Sequence, residues 1–80
     1  MRWKMNNQRV TQTARILNHL ESFGSITSLD AMREYGIMRL ASRICDLRQA
    51  GYNITSEREQ SKNKLGESVH YVRYRLERDA

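Results

Sequence analysis

The side chains that could do chemistry in this sequence are mostly cationic, and the first group of them lies in its middle third. Residues spaced three and four apart share one face of a helix. This spacing relates five polar residues: Arg39, Ser42, Arg43, Asp46 and Gln49. The pattern predicts a polar stripe with two arginines on the helical face opposite the core, with Asp46 placed to pair with an arginine of the same stripe.

A second group of cations lies near the C-terminus. A polar segment carries Lys62, Asn63 and Lys64, and an alternating segment after it places Arg73 and Arg75 on one side of a strand. Fourteen Lys and Arg against nine Asp and Glu give the 80-residue chain a formal net charge of +5. An excess of this size on a small surface predicts a polyanionic partner. Acidic proteins and anionic lipids are also polyanionic partners, so charge alone does not identify the partner and the fold is needed to choose among them.

Catalytic and metal chemistry are not expected. Cys45 is the only cysteine, so no internal disulfide and no thiol set for zinc can form. Neither His19, expected to be exposed, nor His70 has neighbours at metal-ligand spacing. Paired carboxylates and a phosphate-binding loop are also missing from the sequence. We therefore expect no enzyme, no cofactor and no metal site. The lone cysteine favours a reducing cytoplasm, and no apolar run suits a signal peptide or membrane span.

The elements that must position the cations begin with two predicted helices. Apolar residues at helical spacing predict the first helix over 11–23, with Thr11 as N-cap: Ala14, Ile16, Leu17, Leu20 and Phe23. A short strand, Ser25-Ile26-Thr27, is expected to be pinned by Ile26. Thr27 and Asp30 have capping-box spacing and begin a short second helix. Its apolar face is predicted to be Leu29, Met32 and Tyr35.

A third helix and a hairpin complete the pattern. Between Ile37 and Gly51, Leu40, Ile44 and Leu47 recur at helical spacing and should turn inwards. Strand-like alternation begins at Tyr52, residues 59–67 suit a polar hairpin tip, and alternation resumes at Ser68. The order is α-β-α-α-β-β, in the α+β class. We predict a flexible basic arm at 1–10, a domain at 11–76 and a tail at 77–80.

Three helices, a short strand after the first and a basic hairpin after the third resemble the winged helix-turn-helix family. The most telling stretch runs from Ile26 through Gly36-Ile37 to Arg48, followed by Gly51-Tyr52-Asn53-Ile54. It is similar to small helix-turn-helix proteins of phages and prophages. A turn longer than the compact motif's is expected after Gly36.

The resemblance implies a double-stranded DNA-binding protein, a transcriptional regulator or an excisionase-like architectural factor. In that family the third helix enters the major groove and the hairpin, or wing, lies along the backbone. It implies base contacts by Arg39, Ser42 and Arg43, with Asp46 reading cytosine or orienting an arginine. It implies backbone contacts by the wing residues Lys62, Asn63, Lys64, Arg73 and Arg75. The alternative is a winged helix that docks to a protein. Monomer and homodimer both remain open.

Overall fold

The computed structural model describes the backbone of residues 2–78 and the side chains of residues 10–78. In chain order the elements are α1 (Arg2–Phe23), β1 (Ser25–Thr27), α2 (Ser28–Tyr35), α3 (Leu40–Gln49), β2 (Ile54–Lys62) and β3 (Ser68–Leu76). The three strands form one antiparallel sheet in the order β1-β3-β2. The α+β class and the α-β-α-α-β-β order are therefore confirmed.

Helix α1 starts earlier than predicted. It begins at Arg2 and is continuous to Phe23, so Thr11 is an interior residue and its assignment as N-cap is wrong. The helix runs through most of the predicted arm, residues 1–10, and Met1 lies outside the described residues. The polar sequence before Thr11 had no apolar period, which hid the helix. The division into arm, domain and tail stays a prediction.

The buried face of α1 also differs from the predicted one. Ile16 and Leu20 are fully buried, whereas Phe23 is 72% exposed at the helix end. His19, expected on the exposed side, is only 8% exposed, and its Nδ1 lies 2.8 Å from the Tyr35 hydroxyl oxygen. One ring nitrogen of this buried histidine is thereby satisfied within the protein.

Helix α2 begins as the sequence predicts but buries a different face. The Thr27 hydroxyl accepts from the Asp30 N–H at 3.2 Å, and the Asp30 carboxylate accepts from the Thr27 N–H at 3.1 Å. This confirms the capping box. Ala31 is the residue of α2 that is fully buried, while Leu29 and Met32 are largely exposed. The predicted face was therefore wrong at Leu29 and Met32 but right at Tyr35, which is partly buried and packs against the core.

The turn between α2 and α3 is a left-handed helix ending. Gly36 has φ +67°, and its N–H donates to Met32 O at 2.9 Å, while the Ile37 N–H donates to Ala31 O at 3.1 Å. Ile37 is buried in this turn and is not yet helical. Residues 36–39 therefore separate the helices, in agreement with the longer turn expected.

Helix α3 is anchored as predicted. Leu40, Ile44 and Leu47 are each at most 2% exposed, and they pack with Ile16, Leu20 and Ile26 in the core. Ile54 from β2 and Ile26 from β1 extend this core onto the sheet. Burying an apolar side chain of this size stabilises the fold by roughly 1.5–3 kcal/mol. The core therefore holds α3 against the rest of the molecule with its opposite face outwards.

In the hairpin of β2 and β3, here called the wing, β2 extends farther and the tip is shorter than predicted. The strands pair from Ile54↔Leu76 to Lys62↔Ser68, and only residues 63–67 lie between them. The tip was expected to be residues 59–67, but residues 59–62 belong to β2 and pair with β3, so that expectation is wrong for them. Their polar composition resembled a loop, but both faces of an extended hairpin can be polar where it projects into water.

Candidate nucleic-acid interface

The outward face of α3 carries short, uncharged side chains at its centre. Ala41, Cys45 and Gln49 are exposed, and Ser42 is half-buried. The side-chain nitrogen of Gln49 lies 3.8 Å from the Cys45 sulfur, so these two side chains are neighbours on the helix surface. This face offers an amide, a hydroxyl, a methyl group and a thiol to a partner.

Two residues predicted for this face are turned into a local pair instead. Arg43 and Asp46 have side chains only 13% and 18% exposed, and the Arg43 Nε lies 3.3 Å from Asp46 Oδ2. At about 100° per residue, Arg43 lies roughly 40° from Leu47 around the helix, so it borders the buried face. The expectation that Arg43 is displayed to solvent is therefore wrong. The second role considered for Asp46, orienting an arginine, agrees with this geometry.

Cations do remain at the N-terminal end of α3. Arg39 precedes the helix with φ −110° and ψ 55° and forms no side-chain cap. Both Arg39 and Arg33, on α2, are exposed. Within residues 10–78 neither guanidinium makes a hydrogen bond or ion pair. The unpaired N–H groups of a helix start add partial positive charge here, so the helix end can receive an anion.

Arg48 joins α3 to the wing. Its Nε donates to the Ile54 carbonyl at 3.0 Å and its Nη2 to the Ser56 hydroxyl at 2.9 Å. Its guanidinium carbon lies 5.9 Å from the centroid of the Tyr74 ring. Helical spacing could not have found these contacts, because they join α3 to residues of β2. They fix the orientation of the wing relative to α3.

The side of the wing that Arg48 contacts carries unpaired cations farther out. Successive residues of a strand point to opposite faces, so Arg58 and Lys62 share a face with Ser56. We call this the α3-side face. Both cations are exposed, and neither has a hydrogen-bond or ion-pair partner among the side chains described. At about 3.3 Å per residue, Arg58 is roughly 7 Å and Lys62 roughly 20 Å beyond Ser56. Counting in steps of two from the apolar Ile54 would have found Arg58 in the sequence.

The outer face of the wing has its cations paired. The Nε of Arg73 lies 2.9 and 3.0 Å from the two carboxylate oxygens of Glu59, and its Nη1 donates to the Ser25 hydroxyl at 3.0 Å. The Nε of Arg75 lies 2.9 Å from Glu57 Oε1. The hydrogen bond from Arg73 is the main reason the pKa of Glu59 lies below its ordinary value. Arg73 thus ties β1, β2 and β3 together.

The tip of the wing is organised by Asn63. Its Oδ1 accepts from the N–H groups of Leu65 at 2.9 Å and Glu67 at 3.0 Å, and its Nδ2 donates to Glu67 Oε1 at 3.1 Å. The Asn63 side chain, predicted to meet phosphate, is therefore engaged within the turn. Lys64 beside it is exposed, and no partner for its ammonium occurs in the described part of the chain.

No group of three or more His, Cys, Asp or Glu side chains among the described residues could hold a metal ion. Among the helices described, none is long and apolar enough to cross a membrane.

Comparison with known proteins identifies the family. Neither curated proteins nor solved structures gave a match to this chain. A family model described as a winged helix-turn-helix domain matches residues 11–79. That family is typically one of non-enzymatic DNA-binding domains. Because the match covers most of the chain and the observed fold agrees with it, the chain belongs to the winged helix-turn-helix domain family.

Proposed function

We propose that this protein binds double-stranded DNA, with the outward face of α3 in the major groove and the wing along the adjacent backbone. A major groove about 12 Å wide admits one helix. The outward face of α3 is free of bulky side chains, which suits close approach to base edges. Cations stand at both ends of this surface, where phosphates would flank an inserted helix.

The observation that carries the proposal is the continuity of α3 with the α3-side face of the wing. Arg48 joins the two through Ile54 and Ser56. Beyond that junction the exposed side chains include Arg58 and Lys62, with Lys64 at the tip. Arg39 stands at the opposite end of α3. A helix and a ribbon held together, with cations at their margins, match the outline of a duplex better than a small-molecule cleft.

The assignment of contacts differs from the sequence-based one. Phosphate contacts are assigned to Arg39, Arg58, Lys62 and Lys64, because these cations have no partner among the described residues. Arg73 and Arg75 already neutralise Glu59 and Glu57. They are therefore assigned to holding the sheet. Asn63 is assigned to shaping the turn that presents Lys64.

Duplex binding is tested by fluorescence anisotropy on a labelled random-sequence duplex over a range of salt concentrations. Four phosphate contacts predict that the logarithm of the association constant falls with the logarithm of salt concentration at a slope of about −3 to −4. Absence of salt-dependent binding would overturn the proposal.

The single thiol gives an independent test of which surface meets DNA. Cys45 is exposed on the outward face of α3. Duplex DNA is expected to slow alkylation of Cys45 by a maleimide, and protein already carrying a bulky maleimide should bind DNA weakly. The control is Cys45→Ser, whose DNA affinity should be the same before and after treatment with the reagent. Equal alkylation rates with and without saturating DNA would show that α3 faces away from the duplex.

The cellular role proposed is that of a transcriptional regulator or an excisionase-like architectural factor. An architectural factor bends its site, and the extra contacts that a bend permits offset the cost of deforming DNA. Gel mobility of circularly permuted fragments separates the two roles. Strong dependence of mobility on the position of the site favours the architectural role, and its absence favours simple regulation.

Docking to a protein is the second candidate function, and exposed apolar residues on α2 favour it. Leu29 is 59% exposed and Met32 47% exposed, one helical turn apart. Exposed apolar anchors are typical of protein-docking surfaces. Pull-down from nuclease-treated lysate distinguishes the candidates. A stoichiometric partner lost in Leu29→Ser/Met32→Ser, together with no duplex binding, would favour this second function.

A further inference from the structure

We infer that the centre of the DNA site read by α3 is rich in A·T base pairs, with guanine accommodated only at the edge next to Arg39. This inference rests on the proposed function and specifies the nucleic acid that the same surface recognises. It follows from which side chains of α3 are exposed to solvent and which are largely buried beside the core.

The side chains suited to reading G·C pairs are engaged with each other. Arginine recognises guanine through two donors, and aspartate accepts from the cytosine amino group. On α3 these residues are Arg43 and Asp46, which form an ion pair at 3.3 Å with little exposure of either side chain. The Arg43 Nε itself is withdrawn from solvent and has no hydrogen-bond partner in the described part of the chain, so its contact with Asp46 is an ion pair only. To reach a base, Arg43 would have to leave Asp46 and the flank of the core, so the folded helix offers little guanine readout at its centre.

The side chains of α3 that are exposed to solvent suit A·T pairs. Glutamine donates to adenine N7 and accepts from the adenine N6 amino group, and apolar groups contact the thymine methyl. Gln49 and Cys45 are exposed, with Ala41 one turn before Cys45. The Gln49 side-chain N–H donates to the Cys45 sulfur at 3.8 Å, and sulfur is a weak acceptor that adenine can replace. Ser42 can bond to any base and adds no preference. An amide beside two small apolar groups is therefore complementary to an adenine followed by thymine methyls.

Arg39 sets the edge of the preference. It precedes α3, is exposed and makes no side-chain cap. Its guanidinium is free to reach guanine or a phosphate, so a G·C pair is tolerated where the N-terminal end of α3 enters the groove.

The wing is compatible with the same preference. Runs of A·T pairs have a narrow minor groove with enhanced negative potential, which attracts arginine and lysine. Arg58 and Lys62 project from the α3-side face without a carboxylate partner among the described residues. Their attraction to DNA would therefore be stronger beside an A·T-rich segment.

The test is selection of bound duplexes from a random pool, followed by anisotropy on two duplexes of equal length. One carries the selected sequence and the other has its central A·T pairs replaced by G·C pairs. The wild-type protein is expected to prefer the A·T duplex by about tenfold or more. Gln49→Ala should remove most of that preference while leaving the salt slope unchanged, because Gln49 carries no charge.

A matched control is Asn18→Ala, which removes an exposed amide from α1 and should change neither the preference nor the slope. Selection of G·C pairs at the centre, or an unchanged preference in Gln49→Ala, would overturn the inference while duplex binding itself stands. Loss of salt-dependent binding to every duplex would instead remove the proposed function and this inference with it.

Discussion

The two faces of the wing both carry cations, but those of the outer face are paired with carboxylates and those of the α3-side face are not, within the described part of the chain. On the α3-side face, Arg58 and Lys62 are exposed without partners among the residues described. On the outer face, Arg73 and Arg75 each lie 2.9 Å from a glutamate on the neighbouring strand. The cross-strand neighbour thus decides whether an arginine is available to a partner or holds the sheet together. A net charge of +5 does not reveal how many cations are free.

The largest expected effect comes from removing the free cations. Arg58→Ala/Lys62→Ala should weaken duplex binding by on the order of tenfold at 0.1 M salt, and the salt slope should become shallower by about two. Thermal stability should change little, because both side chains are exposed and neither makes a hydrogen bond or ion pair within the described residues. Anisotropy titrations at several salt concentrations measure both quantities.

The matched control removes a pair of residues from the opposite face. Glu57→Ala/Arg75→Ala deletes one negative and one positive charge and leaves the net charge unaltered. It is expected to preserve the salt slope. An equal loss of affinity in both double variants would mean that the two faces are not distinct for DNA.

A smaller effect, on stability, is expected for Arg73→Ala. This change leaves Glu59 and the Ser25 hydroxyl without their shared donor and loosens the junction of β1, β2 and β3. The melting temperature should fall, more than in Arg75→Ala, because the Arg75 pair is more exposed and exposed pairs contribute less. Thermal denaturation followed by circular dichroism measures this difference. A loss of DNA affinity without a fall in melting temperature would instead assign Arg73 to the DNA surface.

The smallest effect is a pH dependence confined to the outer face. Arg73, through its hydrogen bond, holds the pKa of Glu59 below its ordinary value of 4.5. The stabilisation is therefore complete above that ordinary value and is lost as pH falls through the lowered pKa. The melting temperature of the wild type should exceed that of Glu59→Gln at pH 7, and the gap should narrow towards pH 3. A gap that stays constant would contradict the role of the charged pair.

The sequence predicted the order of elements and the anchoring of α3 because both depend on local periodicity. Leu40, Ile44 and Leu47 could be read directly from their spacing. Arg43 could not be read this way, because it lies at the border between faces and its exposure depends on Asp46 and on the surrounding packing. For residues on such a border, spacing alone does not give the direction of the side chain.

The wing was harder to predict because its pairs join residues far apart in sequence. Arg73 and Glu59 are separated by 14 positions and meet only when the hairpin register is known. Strands that are polar on both faces also lack the alternation of apolar and polar residues that marks a half-buried strand. The length of β2 and the partners of Arg73 and Arg75 therefore required the structure.

The nine-pair register of the wing has a consequence for its evolution and engineering. Side chains alternate between the two faces of a strand. Inserting a single residue early in β2 would therefore move every later side chain of β2 to the opposite face of the wing. Glutamates would then turn towards the α3-side face and Arg58 away from it. We therefore expect functional variants of the wing to gain or lose residues two at a time in each strand, with both strands changed together.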